Sequence, residues 1–133
     1  MVHRSFSSFS SLFLATVVAA CSGSESSETS SGGTTPRVGQ ACTASAACGP
    51  GEQCLTGEPG GLCVKPCTTS GSASECPSGS LCDEDSFLRD DGSGDQRLTV
   101  CLQQCEKDEQ CRSGYACSGV SNASGKVCRK QGS

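Results

Sequence analysis

The chain has no tryptophan, a single tyrosine, a single histidine and a single methionine in 133 residues. With so few aromatic side chains, a conventional hydrophobic core is out of reach for a domain of this size. The lone histidine is His3, at the extreme N-terminus, so the body of the chain offers no imidazole as a general base or metal ligand. No two cysteines are separated by two residues, which removes the C-x-x-C redox motif. No apolar run approaches the roughly 20 residues that a membrane-spanning helix needs. Positive charge is not in excess either. Ten basic residues face fourteen acidic ones, an unfavourable balance for nucleic acid or anionic lipid headgroups. With carboxylates and lysines as the remaining options for acid–base chemistry, the expectation is a protein that is not an enzyme, has no cofactor and does not bind nucleic acid.

What is present begins with a processing segment. His3 and Arg4 form a short basic stretch, followed by serines and the apolar run Leu12–Ala20. That run has the length of a signal-peptide core, about 7–15 residues. Val18-Ala19-Ala20-Cys21 resembles the bacterial lipobox, which implies cleavage before Cys21 and a diacylglycerol on its sulfur. Residues 1–20 are therefore expected to be removed. Residues 21–41, Ser/Thr/Gly-rich after the cysteine, are expected to be a flexible tether because they have little apolar surface to bury. Twenty such residues span about 25 Å root-mean-square. Thirteen cysteines also leave Cys21 as the odd member of an otherwise even set, and an odd cysteine in an exported chain requires a separate fate.

From Cys42 onward the chain is a threefold repeat: Cys42, Cys48, Cys54 and Cys63; then Cys67, Cys76, Cys82 and Cys101; then Cys105, Cys111, Cys117 and Cys128. The second and third cysteines of each unit enclose CGPGEQC, CPSGSLC and CRSGYAC, all of the form C-x-x-G-x-x-C, with Gly51, Gly79 and Gly114 at one offset. A tight turn that needs positive φ accounts for a glycine at that place. The expected domain is 42–128, with repeats 42–63, 67–101 and 105–128 and a C-terminal tail 129–133. Its fold class is a small disulfide-rich one, mostly loops and short β-hairpins, with little hydrophobic core. Leu62, Val100 and Val127, beside the last cysteine of each unit, are the expected apolar plugs. A short strand is expected at Arg97–Val100.

This cysteine pattern is similar to the Dickkopf-type N-terminal cysteine-rich pattern, and it looks like the tandem cysteine-rich repeats of bacterial lipoproteins. The resemblance covers about residues 42–128 and implies a secreted module for protein recognition, although no ligand residues of that family map onto this chain. Connectivity stays open, since four cysteines allow three pairings per unit and bridges between units are conceivable. The preferred pairing joins first to third and second to fourth, because crossed bridges lock the glycine loop against both flanks. These pairs are Cys42–Cys54, Cys48–Cys63, Cys67–Cys82, Cys76–Cys101, Cys105–Cys117 and Cys111–Cys128.

Two kinds of metal site have candidate ligands in the chain. Cys63/Cys67 and Cys101/Cys105 have three-residue spacing compatible with zinc, but an oxidising compartment favours disulfides. The weak calcium candidates are Asp83, Asp85, Asp90, Asp91 and Asp95, accompanied by Glu84, in the eighteen residues between Cys82 and Cys101. Their order lacks EF-hand spacing, so a solvated mobile loop is the favoured reading. Asn122-Ala123-Ser124 matches a glycosylation sequon, with no consequence expected in a bacterial protein.

The expected function is a non-catalytic binding or structural module outside the cytoplasm, anchored to a membrane by its N-terminal lipid. Ser22 after the modified cysteine points to the outer membrane. The partner, an unknown protein or glycan, would meet the Asp83–Val100 loop. The alternative is a protease inhibitor that presents Arg89, Arg97 or Arg112 on a disulfide-framed loop.

Overall fold

A computed structural model describes residues 37–132. Six strands form three antiparallel hairpins, one per cysteine unit: β1 (Gln53–Leu55) with β2 (Leu62–Pro66), β3 (Ser80–Leu88) with β4 (Asp95–Gln103), and β5 (Tyr115–Gly119) with β6 (Lys126–Lys130). The first two hairpins join into one sheet of order β1-β2-β4-β3, through Lys65 opposite Cys101 and Pro66 opposite Val100. The third hairpin is a separate two-stranded sheet that contacts β3 and β4 through β6. The described residues contain no α-helix, only short 3-10 turns at Ser45–Ala47 and Asp108–Gln110. The domain is thus a small disulfide-rich fold of hairpins and loops.

The repeated motif has one local structure in all three units. The amide of Glu52 donates to the Gly49 carbonyl, that of Ser80 to Pro77 and that of Tyr115 to Arg112. Each is a four-residue turn with Gly51, Gly79 or Gly114 in its third position, at φ of 70°, 81° and 85°. A type II turn requires positive φ there, and glycine adopts it without steric cost. An added Cβ would meet nothing within 4 Å at Gly79 or Gly114. Backbone conformation, not space, therefore selects the glycine.

The disulfides run Cys42–Cys54, Cys48–Cys63, Cys67–Cys82, Cys76–Cys101, Cys105–Cys117 and Cys111–Cys128. Within each hairpin the third and fourth cysteines face each other across the strands: Cys54 opposite Cys63, Cys82 opposite Cys101, Cys117 opposite Cys128. They bond instead to the first and second cysteines, which lie on the segment preceding the hairpin. Each leading segment is stapled to both strands of its own hairpin. Every one of these bridges lies within a unit, so the units are held to one another by noncovalent contacts and their short links.

The apolar core gathers between the units, from Leu55, Leu62 and Val64 of the first, Leu81, Phe87, Val100 and Leu102 of the second, and Tyr115, Val120 and Val127 of the third. Both aromatic residues of the domain are used here. Leu62, Val100 and Val127 are all buried in it.

Three sequence-based boundaries are corrected. The tether does not extend to residue 41, because the Gly39 amide donates to the Cys63 carbonyl and the Cys63 amide to Gln40, and the Arg37 amide meets the Glu52 carboxylate at 2.9 Å. The C-terminal tail does not begin at residue 129, because β6 continues through Lys130. The short strand at Arg97–Val100 is part of a nine-residue ladder running from Ser80 opposite Gln103 to Leu88 opposite Asp95. The strand pattern of β3 was hidden because two of its four inward positions are acidic: Leu81, Asp83, Asp85 and Phe87 all point to the buried side.

Candidate functional site

Those two aspartates open onto the most polar region of the interior, a charge seam to which each unit contributes. Glu58, from the turn between β1 and β2, is 1% exposed. Its carboxylate accepts from the Tyr115 hydroxyl at 2.7 Å and the Leu88 amide at 2.7 Å, with Lys130 Nζ at 3.5 Å. Asp83, also 1% exposed, accepts from Ser70 Oγ at 2.7 Å and from the Arg129 guanidinium. Asp85 lies 3.8 Å from Arg129 Nη1, and the same nitrogen donates to the Glu84 carbonyl. Three buried carboxylates thus face two cations, both from β6 of the third unit.

A second contact closes the first unit on the third. Arg112 donates to the carbonyls of Gly61 and Pro59 and lies over the Tyr115 ring, 5.4 Å from its centre, in a cation–π contact. Glycine is required at position 61, where φ is +66° and a Cβ would overlap the Cys42 carbonyl.

Above the seam is a polar cleft of about 370 Å³. One wall is the β3–β4 hairpin, with Glu84, Asp85, Ser86 and Arg97; the other is the β5–β6 hairpin, with Ser118, Arg129 and Lys130. At its rim Arg97 pairs with Glu84 at 2.7 Å. Two of the lining residues, Asp85 and Arg129, each carry a buried atom with no hydrogen-bond partner, Oδ2 and Nε, and no other buried side-chain polar atom among the described residues is left in that state. Unsatisfied buried groups cost about 1–3 kcal/mol each and call for a reason. A larger open depression of about 510 Å³ beside Gln104, Gln110, Ser124 and Lys126 has no such group.

Burial pushes the Asp85 carboxyl above its ordinary value of 3.8, against the Ser86 amide and the Arg129 charge; Asp83 and Glu58 push it the same way as burial. Burial, together with the hydrogen bond to Glu58, raises the Tyr115 phenol, which stays a neutral donor. The sign of the consequence follows from linkage. A carboxyl whose pKa is higher in the folded state stabilises fully below its unfolded pKa, and that stability is lost as pH rises through the folded one. Wild-type stability relative to Asp85→Asn is therefore expected to fall as pH rises from about 4. Denaturant midpoints of both proteins, with disulfides intact, check this. Only the difference is diagnostic, because Glu75, Asp90 and Asp91 are shifted down by their own hydrogen bonds and act oppositely. A difference that is flat or grows with pH contradicts the assignment.

The calcium set is not assembled. Asp83 and Asp85 converge on Arg129, whereas Asp90 accepts from the Gly57 amide at 2.9 Å, Asp91 from the Ser93 amide at 2.9 Å, and Asp95 sits opposite Leu88 at the strand end. A β-strand advances about 3.3 Å per residue, which separates Asp83 and Asp85 from the turn end of the hairpin, where Asp90, Asp91 and Asp95 lie. Among the described residues, the groupings of three or more ligand atoms within 4.8 Å contain Glu52 as their one carboxylate and are otherwise cysteine sulfurs, all of them bonded in disulfides. Cys63 and Cys67, and likewise Cys101 and Cys105, belong to different bridges.

The Asp83–Val100 segment is not a mobile loop either. Its turn is confined to Arg89–Gly94, where the Arg89 amide donates to Gly94 and the Gly92 amide to the Arg89 carbonyl. Of the inhibitor candidates, Arg112 is engaged in the clamp, Arg97 lies on a strand, and Arg89 is exposed at the hairpin tip. Asn122 is exposed in the β5–β6 loop. Cys21 lies outside the described residues. Glu58, Tyr115, Arg129 and Lys130 were not singled out from sequence; the one available signal was basic residues directly after the final cysteine of a unit.

No family model, curated protein or solved structure matches this chain. No helix among the described residues is long and apolar enough to cross a membrane. Six disulfides in so small a domain are compatible with an extracytoplasmic protein.

Proposed function

We propose that the protein is a non-catalytic binding module, displayed outside the cytoplasm on a lipid attached to Cys21, with the outer membrane as the favoured site. The observation that carries the reading is a frame, six disulfides and a buried charge seam, that holds a polar cleft beside the long β3–β4 hairpin. Frames of this kind recognise through the surfaces they present. The similarity to the Dickkopf-type pattern supports recognition in place of chemistry. The lipid is supported by the Val18–Cys21 motif and by the pairing of the other twelve cysteines among themselves.

Intact mass of the membrane-extracted protein should show a diacylglycerol-modified Cys21 as residue one and six disulfides. Cys21→Ala should move the protein from the membrane to the soluble fraction; persistent membrane association sinks the anchor. A photo-crosslinker at exposed Ser93, at the hairpin tip, tests the binding reading on intact cells. One discrete adduct is expected, and its absence counts against recognition by this face.

Protease inhibition is the second reading. The tip carrying Arg89 is short and pinned at its base, as an inhibitory loop must be, and not the solvated mobile loop expected from sequence. It ranks second because the Arg89 carbonyl is already taken by the Gly92 amide within the turn, where an extended, protease-accessible peptide would be needed. Rapid cleavage after Arg89 by a trypsin-like protease, without slow dissociation, rejects it.

A further inference from the structure

We propose that the cleft between the β3–β4 and β5–β6 hairpins binds a saccharide, whose hydroxyls hydrogen-bond to Asp85 and Arg129; this rests on the binding-module reading and names its ligand class. Four features of the cleft select that chemistry. Its volume, about 370 Å³, falls within the usual range for small ligands, about 300–1,000 Å³. Its seven lining residues are all polar or charged, which suits a ligand whose whole surface makes hydrogen bonds. Asp85, 9% exposed, carries an unpartnered acceptor, and Arg129 beside it carries an unpartnered donor. A sugar hydroxyl both donates and accepts, so a neighbouring pair of hydroxyls can satisfy both groups at once.

Charge argues the same way. The cations around the cleft are already matched: Arg97 by Glu84, Arg129 by Asp83 and Asp85, and Lys130 by Glu58. An anionic ligand would meet Asp85 and Glu84, and a cationic one Arg129, Lys130 and Arg97. A neutral polyhydroxyl ligand meets neither penalty. Ser86 and Ser118 add a hydroxyl from each wall. Because Asp85 Oδ2 and Arg129 Nε are both closed to bulk solvent, a hydroxyl reaches them only as the cleft lining gives way on binding.

The test is an amide NMR titration of the folded, disulfide-intact domain with glucose, galactose, N-acetylglucosamine and maltose. At least one should produce saturable shifts, at millimolar concentration, confined to residues 84–86, 97, 118, 129 and 130 and their neighbours. Asp85→Asn should weaken binding about tenfold or more, as expected for loss of a charged hydrogen-bond acceptor. Ser118→Trp, at a wall position that takes part in none of the seam's hydrogen bonds, should abolish it by filling the cleft. Shifts that do not saturate, that scatter over the surface, or that persist in Ser118→Trp overturn the site. Stronger saturable shifts from sodium acetate or phosphate than from any sugar overturn the ligand class. If the saccharides fail while the Ser93 crosslink persists, only this inference falls; if both fail, the binding-module reading falls with it.

Discussion

Glu58→Ala is expected to destabilise the domain by about 3–5 kcal/mol, the range for removing one member of a buried, hydrogen-bonded charge cluster. Three groups lose their acceptor together: the Tyr115 hydroxyl, the Leu88 amide and Lys130. None of them is bonded to the first unit in any other described way, and the side chain removed is one of the largest that the fold buries completely. Against a total stability of about 5–15 kcal/mol for an ordinary domain, that loss is severe. Glu58→Gln keeps an acceptor for the tyrosine or the amide but gives up the charge facing Lys130, and should cost less than half as much. Urea unfolding under non-reducing conditions measures both. A cost below about 1 kcal/mol for Glu58→Ala would mean that the seam does not hold the units together.

The second large effect concerns the longest disulfide loop. Cys76 and Cys101 are 25 residues apart, against 12 for Cys42–Cys54 and Cys105–Cys117. Chain-entropy scaling gives about 3.5 kcal/mol for the former and about 2.8 kcal/mol for each of the latter. The double variant Cys76→Ala/Cys101→Ala should therefore be the least stable of the three double variants, and packing enlarges the gap because Cys101 is fully buried in the central strand β4. Denaturant midpoints rank them; an inverted order would show that strain or residual structure, not loop closure, dominates. Full reduction should unfold the domain, since the apolar cluster between the units is too small to order the loops alone.

The two results bear on different levels of organisation. Disulfides order each unit internally, and none of those described links one unit to another. The seam orders the units relative to one another, so a Glu58 variant should retain its six bridges while losing the cleft. For the same reason the cleft is a property of the assembled domain: its walls come from the second and third units, and its floor is supported by the first.

Much of the unit was legible in the sequence and little of the site. Cysteine order, the C-x-x-G-x-x-C turn and the shortage of aromatic side chains are local or compositional features, and they determined a disulfide-rich domain of three hairpin units. The positive φ at Gly51, Gly79 and Gly114 is set within four residues of chain, so spacing alone pointed to it. By contrast, the partners of Glu58 lie 30, 57 and 72 residues away, and Arg129 reaches Asp83 across 46. Acidic residues at Asp83 and Asp85 suggest solvent, and two basic residues after the last cysteine suggest a tail. Only when the third hairpin packs on the other two do Asp83 and Asp85 meet the half-buried Arg129, and Glu58 meet Lys130, because removing charge from water is tolerable only where an opposite charge or donor replaces it. The sequence by itself determined where the three four-cysteine units and their glycine turns lie; the tertiary structure decided which cysteines pair, which charges are buried, how far the central hairpin extends and where the cleft opens.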